Sequence, residues 1–163
     1  MTGRPATIHW DLSVDPAAPD TINRWSRQLR NARPAFNEMA DFIADSQKEW
    51  FATSGNGTWA PLSPKYAAWK RKRFPKRGIL HGPDRPGHKG LQLRDQLTRR
   101  PFGYERINAR SMVIGTTLPY ARLHHQGTGN LPRRQPIKPL DQRTYRIIEH
   151  IFKVHVVGET IGS

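Results

Sequence analysis

The sequence predicts a single α+β domain, in which a long helix of the N-terminal half and a C-terminal helix pack on a small, mainly antiparallel sheet. The chain has 163 residues, of which 36% are hydrophobic, and this suits one compact core better than two. Apolar side chains recur at helical spacing over residues 34–53 and again over residues 141–152. A short apolar run from Met112 to Gly115 is typical of a buried strand.

Residues 1–20 form a predicted N-terminal arm that contains one strand. Apolar and polar side chains alternate from Thr7 to Val14, which is the period of a half-buried strand. Prolines in residues 15–20 end it, because proline cannot donate a hydrogen bond to a sheet. A short amphipathic helix is then predicted over residues 21–30.

The best helix in the chain is predicted from Pro34 to Thr53, since its apolar residues fall on one stripe. It ends in a Ser-Gly-Asn-Gly turn at residues 54–57, where glycine permits a left-handed backbone. Another helix is expected to begin with Ser63 as its cap and Pro64 in its first turn.

The second half of the chain alternates loops with short elements. Residues 75–90 are rich in glycine, proline and basic side chains, so we expect a flexible loop. A short helix is predicted around residues 91–97, and a loop over residues 127–139. After the last helix, the predicted closing strand contains three valines: Val154, Val156 and Val157.

The charge of the chain is concentrated in one segment. The whole chain carries a formal charge of +14, yet residues 61–100 alone hold 12 basic and 2 acidic side chains. No apolar stretch approaches the roughly 20 residues that cross a bilayer, and the N-terminus lacks the apolar centre of a signal peptide. We therefore expect a protein made in the cytoplasm that has an acidic partner and no membrane partner.

The basic segment has two interpretations. Its cations alternate with the rings of Tyr66, Trp69 and Phe74, a mixture that could neutralise phosphates and stack on bases. Alternatively, Tyr66 and Trp69 pack inward, and the cations form a solvated face that docks on an acidic protein. The cations concerned are Lys65, Lys70, Arg71, Lys72, Arg73, Lys76 and Arg77.

Sequence motifs for catalysis are missing. The chain has no cysteine, which excludes disulfides, zinc-thiolate sites and cysteine nucleophiles. Its seven histidines form no i, i+4 helical pair with a nearby carboxylate, and no phosphate-binding glycine motif or nucleophile elbow is present. We therefore predict a protein that is not an enzyme and that needs no cofactor or metal.

Four passages follow one another in a recognisable order. Residues 57–64 read Gly-Thr-Trp-Ala-Pro-Leu-Ser-Pro and lead into the basic helix, and residues 91–98 form a short leucine-containing segment. Residues 113–128 contain Val-Ile-Gly-Thr, Pro-Tyr-Ala and His-His-Gln-Gly-Thr, and residues 131–136 read Leu-Pro-Arg-Arg-Gln-Pro. In this order the passages resemble those of the tail-completion or virion-morphogenesis proteins of tailed bacteriophages. The resemblance covers about residues 21–152.

The resemblance implies a structural protein of the virion neck, at the junction of head and tail, where a ring completes the tail or joins it to the head. Such rings are commonly six-fold in the family, so the implied partners are copies of the same chain, head-connector and tail proteins, and genomic DNA in the lumen. A tail terminator that caps the tail tube and a free basic nucleic-acid-binding protein are the alternatives. The residues that carry the resemblance are expected to define the fold: Trp59, Pro61, Leu62, Gly115, Tyr120, Ala121, His124, Gly127, Pro132 and Arg133.

Physical reasons can be given for several of these residues. The ring of Trp59 is expected to fold back over the long helix and cover apolar surface. Gly115 is expected to permit a tight exit from its strand. Tyr120 and His124 are expected to pack or hydrogen-bond where the chain returns to the core.

A closed ring needs two different surface patches that complement each other. The basic helix and loop, residues 65–89, form one candidate patch. The acidic face of the long helix, with Glu38, Asp41 and Asp45, forms the other.

Overall fold

A computed structural model describes residues 18–81 and 92–158 of the chain. These ranges hold six helices and a two-stranded antiparallel sheet, and the predicted α+β fold class is confirmed. The predicted strand over residues 7–14 lies outside the described residues, as does most of the predicted basic loop. In chain order the elements are α1 (Ala18–Arg30), α2 (Arg33–Ala52), α3 (Pro64–Arg73), α4 (Leu93–Thr98), β1 (Tyr104–Ile107), β2 (Met112–Gly115), α5 (Tyr120–Gln126) and α6 (Gln142–Val156).

The sheet is a hairpin in which Tyr104 pairs with Gly115, and Ile107 pairs with Met112. In the turn between the two strands, the carboxamide oxygen of Asn108 accepts hydrogen bonds from the backbone N–H groups of residues 110 and 111, at 2.8 Å each. An asparagine that bonds the backbone in this way favours a tight turn. The predicted strand β2 is present, but it is not buried as expected, since Val113 is exposed and its other residues are half-buried. Strand β1 was not anticipated.

Helix α2 lies at the centre of the fold and packs against α6, α4 and the sheet. One buried cluster joins Ala35 and Met39 of α2 to Ile151 of α6. A second cluster joins two more alanines of α2 to Phe102, with the sheet residue Met112 packed against both clusters. Small alanine side chains let the neighbouring elements approach α2 closely. Both the long and the final helix share a buried cluster with the sheet residue Met112, so their predicted packing on the sheet is confirmed.

The turn after α2 has four successive residues, Ser54 to Gly57, with positive φ. Such a turn was predicted from its glycines. At Gly55 a side chain is excluded for a second reason, because a Cβ there would clash with the indole nitrogen of Trp59. The turn therefore reverses the chain and brings Trp59 back onto α2.

Two sequence predictions about the backbone are wrong. The predicted closing strand at Val154, Val156 and Val157 does not form, because α6 continues to Val156, whose side chain is buried. Burial against the rest of the fold outweighs the strand preference of valine here. The helix α5, which follows Pro119, was not predicted. Gly115 has no positive φ, and a Cβ there would meet no atom within 4 Å, so glycine is not required for the chain to leave β2.

Candidate functional site

Two indole groups bind one backbone oxygen where the passages that carry the resemblance meet. The Nε1–H groups of Trp50 and Trp59 each donate a hydrogen bond to the carbonyl oxygen of Gln135, at 2.9 Å each. The ring of Trp59 also meets the ring of Phe51 edge to face, at 5.3 Å between centroids. The prediction that Trp59 folds back over α2 is therefore confirmed.

Arg134 connects three of the four passages that carry the resemblance. Its backbone N–H donates to the carbonyl of His124 at 2.8 Å. Its guanidinium donates to the carbonyls of Ala60 at 2.7 Å and Pro61 at 2.8 Å. Only 5% of Arg134 is exposed, whereas the neighbouring Arg133, which the sequence had singled out, is exposed. Sequence reasoning missed Arg134 because two adjacent arginines give no sign of which one is buried.

The remaining motif residues surround this connection. Ala121 is buried in the same core cluster as Trp59, and the rings of Tyr120 and His124 meet edge to face at 6.0 Å. The packing expected of Tyr120 and His124 is therefore present. Gly127 has a φ of 72°, and a Cβ there would lie 3.0 Å from the backbone nitrogen of Arg133, so the two motif passages approach closely at this point. Leu62 is half-buried, and Pro61 and Pro132 are exposed.

Helix α3 divides its cations between the surface and the interior. The exposed cations of this region are Lys65, Arg71, Lys72, Arg73 and Lys76, and Arg77 is half-buried. Lys70 was predicted to join them, but only 6% of it is exposed, and its Nζ donates to the carbonyl of Gly78 at 2.7 Å. Burial, together with the positive charges of Arg77 and Arg134, lowers the pKa of Lys70. Lys70 is therefore an interior cation and not a part of the surface patch.

The aromatic residues of α3 lie on the surface. Tyr66 is 45% exposed and Trp69 is 44% exposed, and their rings stack at 5.3 Å between centroids. Phe74 extends the row, with its ring 5.8 Å from that of Trp69. The interpretation in which Tyr66 and Trp69 pack inward is therefore wrong. We call this row of three rings, with the five exposed cations, the aromatic-basic surface.

The three predicted acidic residues of α2 each contact a basic side chain of the same chain. Glu38 lies 2.6 Å from the imidazole of His155, and Asp45 lies 2.6 Å from the ammonium of Lys48. Asp41 accepts from the guanidinium of Arg100 at 3.0 Å. All three carboxylates remain largely exposed. They are therefore accessible to another subunit, although each of them already has a basic neighbour.

A cavity of about 970 Å³ opens between α3, α5 and the Pro-Arg-Arg-Gln-Pro segment. The interior cation Lys70 lines it. His81 lines it too, and burial is the main reason that the pKa of this histidine is lowered to about 4. Burial likewise lowers the pKa values of His124 and Arg134. The ionisable and aromatic side chains that line the cavity are Tyr66, Lys70, His81, Tyr120, His124 and Arg134.

Within residues 18–81 and 92–158, no group of three or more His, Cys, Asp or Glu side chains could hold a metal ion. Over the same ranges, no helix has both the length and the apolar character that a membrane span requires. Comparison with protein-family models, with curated proteins and with solved structures gave no match to the chain.

Proposed function

We propose that this chain is a structural protein of the bacteriophage neck, which forms a homo-oligomeric ring that completes the tail or joins the tail to the head. One observation supports it above the others. The four separate passages that resemble the tail-completion family meet in one unit, built around Trp59, Arg134 and the carbonyl of Gln135. The four passages thus belong to one structural unit of the fold.

The surface of the chain supports assembly into a ring. The aromatic-basic surface supplies a positive patch with exposed rings, and aromatic and arginine side chains are the residues that most often dominate protein interfaces. Glu38, Asp41 and Asp45 follow one another at helical spacing along α2 and supply an exposed negative row. A head-to-tail contact between two such different patches is the kind that generates a closed ring.

The experiment is a measurement of assembly by native mass spectrometry and electron microscopy of the purified full chain at low salt. The test variant carries Arg71→Glu, Lys72→Glu and Arg73→Glu, which reverse exposed charges and leave the interior Lys70 in place. The matched control carries Arg122→Glu, Arg143→Glu and Arg146→Glu, which reverse three exposed charges elsewhere on the chain. We expect rings from the wild type and the control, and dissociated subunits from the test variant. Normal rings from the test variant would contradict this interface.

A second function, a free nucleic-acid-binding protein, is favoured by the exposed stack of Tyr66 and Trp69. Rings beside phosphate-neutralising cations suit single-stranded nucleic acid, since every base has a face that can stack. Under this alternative, a monomer binds DNA with an affinity that falls as salt rises, and Trp69→Ala weakens that binding. A chain that binds DNA only after ring assembly would favour the neck protein, with DNA in its lumen.

A further inference from the structure

Two buried cations lie beside the same cavity with no carboxylate among its described lining residues. Lys70 and Arg134 are each at least 94% buried, and the positive charge of Arg134 acts on Lys70. Within residues 18–81 and 92–158, their acceptors are backbone carbonyls only: those of Gly78, Ala60 and Pro61. Buried charges in proteins are ordinarily compensated by a charge of opposite sign. The two cations are therefore a place where an anion would be stabilised.

Both cations keep donors for such an anion. An ammonium has three N–H groups, and one of those on Lys70 is used by the carbonyl of Gly78. A guanidinium has five N–H groups, and Arg134 uses two of them on the carbonyls of Ala60 and Pro61. Three N–H groups of Arg134 and two of Lys70 thus have no acceptor among the described residues.

His81 lines the same cavity and carries a third donor, which the chain itself covers in this structure. Its Nδ1 lies 3.2 Å from the backbone N–H of Gly78 and accepts a hydrogen bond from it. Because burial keeps this imidazole neutral at pH 7, the single ring proton is on Nε2. The Nε2 atom is buried and has no hydrogen-bond partner among the described residues. A buried N–H group of this kind is costly unless an acceptor is supplied.

We propose that this cavity binds a phosphate-bearing ligand of nucleotide size, with Lys70, Arg134 and His81 donating hydrogen bonds to the phosphate oxygens. A phosphate monoester carries a charge of about −1.5 to −2 at pH 7, which matches the two positive charges of the site. Its oxygens are acceptors, and the remaining groups of the site are donors. The inference does not depend on the ring proposed above.

The dimensions and walls of the cavity favour a nucleotide over inorganic phosphate. A cavity of about 970 Å³ lies in the range that small-molecule sites occupy and is larger than one phosphate group needs. The rings of Tyr66 and Tyr120 line it and offer apolar faces to a planar base. Such a base would stack on a wall while the phosphate reaches the three donors.

The experiment is a calorimetric titration of the full chain at pH 7 and fixed ionic strength. The probes are deoxyadenosine monophosphate, deoxyadenosine and inorganic phosphate. We expect saturable 1:1 binding of the monophosphate, weaker binding of inorganic phosphate, and at least about tenfold weaker binding of the nucleoside, which lacks the charged group. No saturable binding of either phosphate compound would overturn the proposal.

Two lysine variants identify the site. Lys70→Met removes the interior charge and keeps an unbranched side chain, and we expect it to weaken binding of the monophosphate at least about tenfold. Lys153→Met removes the same charge from the exposed face of α6, and we expect a change of less than about twofold. Equal losses in the two variants would show attraction to the overall charge and would overturn the site.

A third variant keeps the test decisive if Lys70→Met does not fold. His81→Phe removes the Nε2 donor and preserves the stacking of the ring on Phe51, and we expect binding to weaken about three- to tenfold. Unchanged affinity in this variant, together with an unfolded Lys70→Met, would contradict the proposed donors.

A 5′-phosphorylated hexadeoxynucleotide distinguishes the two possible sources of the phosphate, a free nucleotide and the end of a nucleic-acid chain. If the hexamer displaces the monophosphate and binds more tightly, the ligand is a nucleic-acid terminus, and if it does not displace the monophosphate, the ligand is a free nucleotide.

Residues 82–91 contain one carboxylate, Asp84. Binding that appears only in Asp84→Asn would show that the chain neutralises these cations itself, and it would overturn the proposal.

Discussion

The indole N–H of Trp59 donates to the carbonyl oxygen of Gln135 at 2.9 Å, across 76 positions of the chain. The same oxygen accepts the indole N–H of Trp50, so one carbonyl connects α2, the turn after it and the segment before α6. Both indoles are buried in the core cluster, where an unmade hydrogen bond is costly. This relationship underlies the first two predictions.

Replacing Trp59 with phenylalanine removes the N–H donor and part of the ring. We expect Trp59→Phe to lower the free energy of unfolding by about 1–3 kcal/mol, from the lost hydrogen bond and the space left in the cluster. Urea denaturation followed by circular dichroism measures it. The control is Trp69→Phe on the exposed stack, for which we expect a change within about 0.5 kcal/mol. Equal effects of the two substitutions would contradict the described packing.

The turn at residues 54–57 offers a matched pair of glycines. Gly55 and Gly57 both have positive φ, but a Cβ at Gly55 clashes with the indole of Trp59 and one at Gly57 meets nothing within 4 Å. We expect Gly57→Ala to lower the free energy of unfolding by about 1–2 kcal/mol, which is the cost of holding an L residue at positive φ. Gly55→Ala adds the displacement of a packed ring, about 1–3 kcal/mol more. Thermal unfolding of both variants checks the order, and a smaller loss at Gly55 would be inconsistent with this turn.

The neutral imidazole of His81 predicts a loss of stability in acid. Its pKa is about 4 in the folded chain and about 6.5 when unfolded, so the unfolded state binds the proton first as the pH falls. Stability from this group is complete above pH 6.5, declines between pH 6.5 and 4, and is lost below that range. Because the side chain is only half-buried, we expect a loss of about 1–2 kcal/mol after solvent screening.

The measurement compares urea denaturation of the wild type and His81→Gln at pH 7 and pH 4.5. Glutamine does not titrate, so we expect the variant to lose less stability than the wild type between the two pH values. His124, whose pKa is also lowered, titrates in both proteins and cancels in the comparison. Identical losses in the two proteins would show that His81 does not titrate in this way.

Arg100 joins α2 to the hairpin. Its guanidinium donates to Glu105 at 2.8 Å, to Asp41 at 3.0 Å and to the backbone carbonyl of Asn37 at 3.0 Å. The guanidinium also lowers the pKa of Glu105, a mostly buried carboxylate. We expect Arg100→Met to cost about 2 kcal/mol, because it leaves that carboxylate without its cation.

The control for Arg100 is its neighbour Arg99, which is exposed and whose Nε lies 4.0 Å from Asp95. We expect Arg99→Met to change the free energy of unfolding by less than about 0.5 kcal/mol. Chemical denaturation at pH 7 measures both variants. A loss at Arg99 as large as that at Arg100 would show that the pairing with Glu105 contributes little.

The elements that sequence patterns predicted are those whose own residues carry a strong period. Helix α2 was predicted over residues 34–53 and runs over Arg33–Ala52, because its apolar stripe and its first-turn proline are local features. Strand β1 was missed because its four residues, Tyr104–Ile107, include two charged side chains and depend on pairing with β2. The valines after residue 153 were assigned to a strand by propensity, whereas α6 runs through Val154 to Val156 and buries Val156.

The candidate site could be predicted only in part, for a related reason. The basic run of α3 was evident, but four successive cations of similar chemistry do not reveal which one turns inward. The structure selects Lys70, which reaches the carbonyl of Gly78, and it selects Arg134 over Arg133. Both choices depend on carbonyl groups that the fold brings near from other parts of the chain.

The central proposal, a ring in the virion neck, is tested most directly by locating the chain in assembled particles. Electron microscopy of purified virions that carry a C-terminally tagged copy of the chain, decorated with a gold-labelled antibody, is the measurement. The proposal predicts label at the junction of head and tail in tailed particles. Label that is absent from purified virions, or that lies elsewhere on the particle, would contradict it.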